Sequence, residues 1–215
     1  MATTLTARVA DEIGVTRIAR VTGLDRAGVE VAAAIRPGGH VLQVCNGKGE
    51  TWERAALGAV LEAAELAWAE HVDHRSLVYG SRRELTPRGA PDRVWSASEL
   101  GSAGRLVDPA LWSDDVVCAW RRGRDLLSRR EVLVPAQAVH CPPPDAVALG
   151  PISVAWTTNG SGAHPDPDAA LLHALLEAAE RDQLARVLPD GWTSEALISR
   201  RLQRGSLEAS APRAA

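Results

Sequence analysis

The chain has 215 residues, enough for one large domain or a small pair, and its net charge of −3 gives no reason to expect a nucleic-acid-binding protein. No apolar run approaches membrane-spanning length, and the N-terminus lacks the basic start and apolar stretch of a signal peptide, so we expect a cytoplasmic protein. Cys45, Cys118 and Cys141 are odd in number and lack CxxC spacing, which favours reduced thiols.

The first third of the chain predicts a hairpin, a further strand and a helix. Residues 18–21 and 29–35 are short runs rich in β-branched residues on either side of a turn, as in a β-hairpin. Residues 40–45 predict a third strand, which leads into a glycine-rich loop at residues 46–49. Thr51 suits a helix N-cap, and the apolar run after it predicts a helix to about His71. We assign residues 1–12 to an N-terminal extension.

The rest of the chain predicts further strands and a second long helix. Residues 72–115 contain many glycines and prolines and are expected to be loop-rich. Residues 116–120 and 131–139 predict strands joined by a basic connection at 121–124, and residues 152–157 predict another strand. Residues 165–168 open the second long helix, and Thr193 caps a short helix to about Arg204. Residues 205–215 are expected to be disordered. The strand–loop–helix pattern occurs twice, so the fold class is α+β with mixed or antiparallel sheets.

One helical sequence occurs twice, 115 residues apart. Residues 57–65 read LGAVLEAAE and residues 172–180 read LHALLEAAE, so seven of the nine positions are identical. Each copy places two glutamates three residues apart, on one helix face. Four carboxylates on two related helices are a plausible way to hold a divalent metal ion and, through it, phosphate groups. These carboxylates are Glu62, Glu65, Glu177 and Glu180.

The first glutamate pair lacks the cationic neighbours that surface glutamates usually have. Between Ala55 and Ala69 the two glutamates are the only charged residues. A helix this apolar is expected to be buried on most sides, and the second helix is similar in its N-terminal part. Burying carboxylates without partners costs several kcal/mol, so a cation should meet them, and Mg²⁺ would serve. The alternative is that these acids pair with distant arginines.

The segments before the two helices contain the only asparagines, Asn46 and Asn159, each in an Asn-Gly-x-Gly sequence. The first also contains Lys48, the only lysine, whose compact charge can reach a phosphate where arginine cannot. Glycines before a helix can cradle an anion, although neither segment is a Walker A motif. An ordinary solvated lysine is the alternative. Arg181 could contact a phosphate or an exposed acid, and we interpret His173 as a packing or hydrogen-bonding residue.

Together these residues resemble the YcaO family. Residues 14–25 (GVTRIARVTGLD) resemble its N-terminal signature. Residues 47–49 with 61–65 resemble its first nucleotide-binding block, and residues 158–160 with 173–182 resemble its second. Residues 65–72 are most similar to the branch that works with TfuA partners. The similarity implies a partial YcaO domain over residues 13–204, with a YcaO-like α+β fold that lacks the C-terminal half of the domain.

The resemblance implies binding of ATP and Mg²⁺ and activation of a peptide backbone amide. In that family ATP phosphorylates the amide oxygen, which then leaves as phosphate. Attack by a neighbouring Cys, Ser or Thr gives an azoline, and a sulfur donor gives a thioamide. Carried over, the four glutamates are the acids that bind magnesium and phosphate, and Arg181 is a nucleotide contact. Asn159 belongs to the second block, and Lys48 lies beside the first.

Three departures from the family pattern affect what this chain is expected to do. Gly58 replaces a serine usual four residues before the first glutamate, and Asp168 is followed by Ala169 where an acidic pair is usual. The family domain also continues for roughly as much chain again. We therefore expect a shortened or split form of the enzyme, without assigned catalytic residues. The alternatives are a non-catalytic half-domain in the same pathway and an inactive gene fragment. Expected partners are a precursor peptide or protein substrate and a TfuA-like protein or separate C-terminal half, with a homodimer left open.

Overall fold

The computed structural model describes residues 4–24, 26, 28–86, 93–96, 99 and 112–187. Over these residues the fold is α+β, as predicted, with two three-stranded sheets whose strands pair antiparallel. The helices are α1 (Thr4–Glu12), α2 (Trp52–Glu70), α3 (Arg82–Leu85) and α4 (Pro167–Val187). The strands are β1 (Arg17–Arg20), β2 (Glu30–Ile35), β3 (Val44–Gly49), β4 (Leu77–Ser81), β5 (Val117–Arg124) and β6 (Glu131–Pro135).

The first sheet has the order β1-β2-β3 and confirms the predicted hairpin. β1 pairs with β2 so that Arg17 lies opposite Ile35, and β2 pairs with β3 so that Ala33 lies opposite Asn46. The third strand therefore begins later than predicted, and residues 46–49 are strand rather than loop. The prediction was wrong because glycines normally weaken strands. Here the backbone of residues 46–49 pairs with β2, and a glycine in this strand allows a close approach to α2.

Helix α2 follows the prediction closely and packs on the first sheet. The Thr51 hydroxyl accepts a 3.3 Å hydrogen bond from the Arg54 N–H, which caps the helix start. The buried face carries Ala55, Ala59, Val60 and Ala63, all fully buried. This core also contains Ala32, Ala34 and Cys45 from the sheet and Ala10 from α1. Small side chains on both layers let the helix lie close to the strands.

The second sheet, in the order β4-β5-β6, differs most from the sequence prediction. β4 lies within the region predicted to be loop-rich, and β5 includes residues 121–124, which were predicted to be a connection. The basic residues suit a strand because their side chains find partners beside it: Arg122 forms a 2.7 Å ion pair with Glu131 on β6. β6 ends at Pro135, and a short 3-10 helix at Ala136–Ala138 replaces the predicted end of that strand.

Residues 152–157 do not form the predicted strand, and Val154 alone has a β-bridge. The backbone N–H groups of Ser153 and Val154 donate to the side-chain oxygen of Gln137, at 3.0 and 3.3 Å. A buried amide side chain thus satisfies donors that a neighbouring strand would otherwise pair.

Helix α4 confirms the second predicted helix, but its expected burial was wrong. Leu171 is 41% exposed and Leu175 is 47% exposed. The predicted helix at residues 193–204, the tail at 205–215 and much of the predicted loop region (87–92, 97–98, 100–111) lie outside the described residues. The domain limits at residues 13 and 204 stay predictions. Within the described ranges, no helix combines the length and apolar character needed to cross a bilayer.

Candidate functional site

Two close glycine–helix contacts show how the sequence repeat is built in three dimensions. A Cβ atom on Gly47 would lie 2.1 Å from the Ala55 carbonyl oxygen and 2.2 Å from the Ala59 nitrogen. A Cβ atom on Gly162 would lie 2.4 Å from the oxygen of Ala170 and 3.1 Å from the nitrogen of Ala174. In both cases only glycine lets the segment lie against its helix.

The contacted alanines are themselves 115 residues apart, which makes Gly162 the counterpart of Gly47. Aligning the two Asn-Gly-x-Gly sequences residue by residue would instead pair Gly47 with Gly160, two positions away from this structural counterpart. The counterpart of Lys48 is therefore Ala163, and the two repeats differ in charge at this position.

Helices α2 and α4 and the end of β3 surround a cavity of about 660 Å³. We refer to it as the α2–α4 cavity. Its volume lies in the range of small-molecule sites, roughly 300–1,000 Å³. Five residues of the predicted site line it: Lys48, Glu62, Glu65, Glu177 and Arg181.

The two α2 glutamates in this cavity are held in an environment that disfavours their charge. Burial raises the pKa of Glu62, and the nearby Glu177 carboxylate adds to this, while the Asn46 N–H and Lys48 oppose it. Although the Glu62 side chain is exposed at the cavity, the surrounding protein still removes part of its solvent.

The pKa of Glu65 is raised for the same reasons. Burial raises its pKa, and the carboxylates of Glu177 and Glu62 also raise it. The Ala163 N–H, which donates a 2.8 Å hydrogen bond to Glu65 Oε1, and His173 lower it. Three carboxylates from the two repeats therefore share one region of negative potential.

In the described part of the chain, arginines do not neutralise the two α2 glutamates of the cavity, Glu62 and Glu65. Glu62 and Glu65 form no ion pair there, and Lys48 is the cation that stabilises the charge on Glu62. Glu177 does have an arginine partner, but it is Arg181 on the same helix, with 3.6 Å between Nη2 and Oε1. Among the described residues, Glu62 and Glu65 therefore do not pair with distant arginines.

Two predicted site residues lie elsewhere. Asn159 and Glu180 are exposed and are not among the residues that line the α2–α4 cavity. Of the four carboxylates expected from the repeat, three therefore line the cavity. The roles of Asn159 and Glu180 stay predictions.

The chemistry of the cavity fits a hard cation that is shared with a ligand. Among the described residues, no three His, Cys, Asp or Glu side chains form a ready metal centre. Mg²⁺ does not require one, because it typically takes one or two protein carboxylates and fills its other positions with water and phosphate oxygens. Burial, with a contribution from Glu177, raises the pKa values of Glu62 and Glu65, and a bound cation would favour their ionised forms.

Sequence reasoning missed other parts of this cavity. His173 was expected to pack or to form a hydrogen bond, but it is exposed and lines the cavity, where its charge would favour ionised Glu65. Thr158 and His164 also line it. The repeat makes His173 the counterpart of Gly58, because the two are 115 residues apart. Gly58 also lines the cavity, so the sequence repeat relates two lining residues.

A protein-family model described as YcaO cyclodehydratase, ATP- and Mg²⁺-binding, matches residues 46–213. The chain belongs to the YcaO family. This confirms the resemblance inferred from the sequence, and the family description names the two expected cofactors, ATP and Mg²⁺.

Two relatives are similar to most of this chain. A protein in the tfuA 3′ region of Rhizobium leguminosarum bv. trifolii is 30% identical over 174 residues, which is 81% of this chain and 39% of the relative. A protein of Methanothermobacter thermautotrophicus is 32% identical over 179 residues, covering 79% of this chain and 41% of the relative. The chain therefore spans about two fifths of the length of these relatives.

Two solved structures are also similar to most of this chain. YcaO from Methanopyrus kandleri, bound with AMPPCP and Mg²⁺, matches with a TM-score of 0.56 and 26% identity over 84% of this chain and 41% of that one. A heterocyclase in complex with substrate and cofactor has a TM-score of 0.59 and 18% identity, over 84% of this chain and 28% of its own. The second similarity concerns the fold alone. The expected α+β, YcaO-like architecture is confirmed.

Proposed function

We propose that the α2–α4 cavity binds ATP together with Mg²⁺. The observation that carries this proposal is the group of three carboxylates from two repeats in one cavity. Two of them, Glu62 and Glu65, have raised pKa values and form no ion pair among the described residues. A negative, partly desolvated site of this kind is suited to a divalent cation, and the cation links it to phosphates.

The chain's own groups would hold the ligand in distinct ways. Glu62, Glu65 and Glu177 would offer oxygen ligands to the cation or to its bound waters. The Ala163 N–H already holds Glu65 at 2.8 Å. Lys48 would meet phosphate oxygens as a compact charge, and Arg181 could bind them with its planar guanidinium.

The proposed reaction is ATP-dependent activation of a peptide backbone amide, with this chain as a shortened or split component. When bound, ATP supplies the phosphoryl group that turns the amide oxygen into a leaving group. Family membership supports this reaction, as does the similarity to a nucleotide-bound YcaO. The product would be an azoline or a thioamide, according to the nucleophile. A precursor peptide and a TfuA-like protein are the proposed partners, the latter because one relative lies in a tfuA region. Use of ATP would require a cytoplasmic location.

Isothermal titration with AMPPCP and Mg²⁺ tests the site. We expect Glu62→Gln, Glu65→Gln and Glu177→Gln each to weaken binding about tenfold or more, which is about 1.4 kcal/mol. Glu53→Gln is the matched control, because Glu53 is an exposed α2 acid that does not line the cavity. Equal heats from all four variants and the wild type would remove the proposed site. Glu180→Gln and Asn159→Ala in the same series decide whether those residues take part.

A second candidate function is a non-catalytic half-domain that binds a peptide or protein partner in the same pathway. The exposed leucines of α4 favour it, because a surface of this kind is normally covered by another polypeptide. Precursor-peptide binding that is equally tight with and without Mg²⁺ and ATP would support it over the enzymatic proposal.

A further inference from the structure

A second, smaller cavity lies beside the β5–β6 turn of the second sheet. Its volume is about 160 Å³, and it shares no lining residue with the α2–α4 cavity. One wall belongs to the turn and to β6, and the other belongs to residues 93–95. We refer to it as the turn cavity, and its lining residues are Arg93, Trp95, Asp125, Ser128, Arg130 and Val132.

Residues 93–95 are held at the turn cavity by their pairing with β6. Val94 forms a parallel bridge with Leu133, and the Trp95 N–H donates a 2.9 Å hydrogen bond to the Leu133 carbonyl oxygen. The Val94 side chain is 1% exposed and belongs to a core cluster of the second sheet. This anchoring keeps its two neighbours, Arg93 and Trp95, at the cavity that both of them line.

The turn that forms the other wall is closed by its own hydrogen bonds. The Asp125 N–H donates a 2.9 Å bond to the Arg130 carbonyl oxygen. Asp125 Oδ1 accepts from the N–H groups of Ser128 and Leu127, at 2.5 and 3.1 Å. Hydrogen bonds from Ser128 and Leu127 lower the pKa of Asp125, so its carboxylate is ionised at neutral pH and is engaged within the turn.

The turn cavity carries one positive charge in excess. Arg93 and Arg130 contribute two guanidinium groups, and Asp125 contributes the one carboxylate among the lining residues. Arg93 forms no hydrogen bond or ion pair with any other residue of the described ranges. Residues 121–131 continue the pattern with five arginines and two acids, in a chain whose net charge is −3. One carboxylate from a ligand would balance the excess, and a guanidinium matches its planar geometry.

An apolar surface adjoins this charged cavity. Leu126 is 41% exposed and Leu127 is 96% exposed, and both lie in the turn directly before Ser128. Turns normally carry polar residues or glycine at such positions. Trp95, which is half-buried, adds an indole ring to the residues that line the cavity. A ligand that fits the whole surface therefore combines one negative charge with neighbouring apolar groups.

We infer that the turn cavity docks a peptide segment in which a glutamate or aspartate is flanked by apolar residues. The carboxylate would enter the cavity and meet Arg93, and the apolar neighbours would cover Leu127 and Trp95. The volume of about 160 Å³ suits one side chain, because small-molecule sites are larger, at roughly 300–1,000 Å³.

Other anionic partners fit this surface less well. A nucleic acid is a polyanion that needs several cationic contacts, whereas the chain as a whole is acidic and the cavity has one charge in excess. A flat anionic membrane would not use a concave site. A peptide that projects one acidic side chain uses both the cavity and the leucines beside it.

The test uses three fluorescein-labelled peptides as probes, with identical Gly-Ser flanks and the central sequences Leu-Glu-Leu, Leu-Gln-Leu and Leu-Lys-Leu. Binding to the 215-residue chain is measured by fluorescence anisotropy. We expect the Leu-Glu-Leu peptide to bind at least about tenfold more tightly than the other two. Added salt should reduce this difference, because the charges that cause it are exposed to solvent.

Two variants separate the charged contact from the apolar one. Arg93→Gln should abolish the preference for glutamate over glutamine and leave binding of the Leu-Gln-Leu peptide unchanged. Leu127→Ser should weaken both of these peptides by the same factor. Both substituted residues are exposed, so the variants should fold. Arg17→Gln is the matched control, because Arg17 is an exposed arginine on β1 of the other sheet, and it should bind like the wild type.

A thiol-protection measurement gives a second readout of where the peptide binds. Cysteine introduced by Leu127→Cys should react with a maleimide in the free chain and be protected by the Leu-Glu-Leu peptide but not by the Leu-Lys-Leu peptide. Equal binding of the three peptides, no binding, an unprotected thiol, or an equal effect of Arg17→Gln and Arg93→Gln would overturn the inference. So would binding to phosphatidylcholine vesicles that contain phosphatidylglycerol, without peptide binding, since a membrane would then be the occupant.

This inference goes beyond the proposed function and does not depend on it. Arg93 and Leu127 do not line the α2–α4 cavity, so their variants should bind AMPPCP and Mg²⁺ as the wild type does. Selective peptide binding without nucleotide binding would contradict the proposed function alone. Nucleotide binding without selective peptide binding would contradict this inference alone.

Discussion

The Ala163 N–H donates a 2.8 Å hydrogen bond to the Glu65 carboxylate, so the second repeat holds an acid of the first across 98 residues of chain. Gly162 makes this contact possible, because its missing side chain lets the segment before α4 lie close to Ala170 and Ala174. The bond favours ionised Glu65 and partly offsets the effect of burial on its pKa. One contact therefore couples the packing of the second repeat to the charge of the site.

The acids of the site should make the ligand-free protein less stable as the pH rises. Burial, with a contribution from neighbouring carboxylates, raises the pKa of both Glu62 and Glu65 above the ordinary value of 4.5. The folded state therefore binds more protons than the unfolded state between that value and the raised pKa values, and stability falls as the pH rises through this window. We expect thermal unfolding to show that the wild type loses stability, relative to the double variant Glu62→Gln, Glu65→Gln, as the pH rises above the ordinary glutamate pKa of 4.5. Parallel pH profiles for the two proteins would contradict this.

Lys48 should be replaceable by neither alanine nor arginine. Lys48 lines the cavity near Glu62, where we propose that it meets a phosphate as a compact ammonium, and a guanidinium is larger and planar. We expect Lys48→Ala and Lys48→Arg each to weaken binding of AMPPCP and Mg²⁺ on the order of tenfold, or about 1.4 kcal/mol. Arg17→Ala is the control, because Arg17 is an exposed cation on β1 of the same sheet and does not line the cavity. Full affinity in Lys48→Arg would show that only the sign of the charge matters.

Two glycines in contact with each other should respond to alanine in opposite directions. At Gly47 a Cβ atom would lie 2.1 Å from the Ala55 oxygen, so Gly47→Ala should lower the free energy of unfolding by about 1–3 kcal/mol or more. A Cβ atom on Gly58 would lie 3.6 Å from the Gly47 Cα, an ordinary contact, and alanine favours the helix. Gly58→Ala should therefore stabilise the protein by roughly 0.5–1 kcal/mol. Urea denaturation measures both changes, and the same sign for both would refute the assigned β3–α2 contact.

The buried pair of Arg36 and Glu70 should be far more important for stability than an exposed pair. Arg36 Nη2 lies 2.6 Å from Glu70 Oε2, and the other carboxylate oxygen accepts from the N–H groups of His40 and Val41. Glu70→Gln leaves a buried guanidinium unpaired and should cost about 3–5 kcal/mol.

The control for this prediction is Glu50→Gln. Its partner Arg54 is 71% exposed, and such pairs contribute about 0–1 kcal/mol. Denaturant unfolding of both variants gives the comparison. A similar small loss in both would mean that the Arg36–Glu70 pair is solvated in solution.

The sequence was most informative where local signals agree. Thr51 as a cap and an uninterrupted apolar run were enough to predict α2, and its near copy predicted α4. It was least informative where tertiary partners override local preference. The glycines of β3 predicted a loop, and the arginines of β5 predicted a connection between strands. Residues 152–157 predicted a strand, but the Gln137 side-chain oxygen accepts the hydrogen bond of the Ser153 N–H.

The candidate site, too, was predictable from the sequence only in part. The glutamate pair Glu62 and Glu65 and the lone Lys48 are visible in the sequence because charge, spacing and composition are properties of the chain itself. Which acids share a cavity could not be read there, because this depends on how α2 and α4 approach each other. The packing of Gly47 and Gly162 on their helices, together with the Ala163–Glu65 bond, places Glu177 beside Glu62 and Glu65 and leaves Glu180 outside. Sequence thus determined the charges of the site, and tertiary packing decided which of them act together, because electrostatic coupling depends on distance in space.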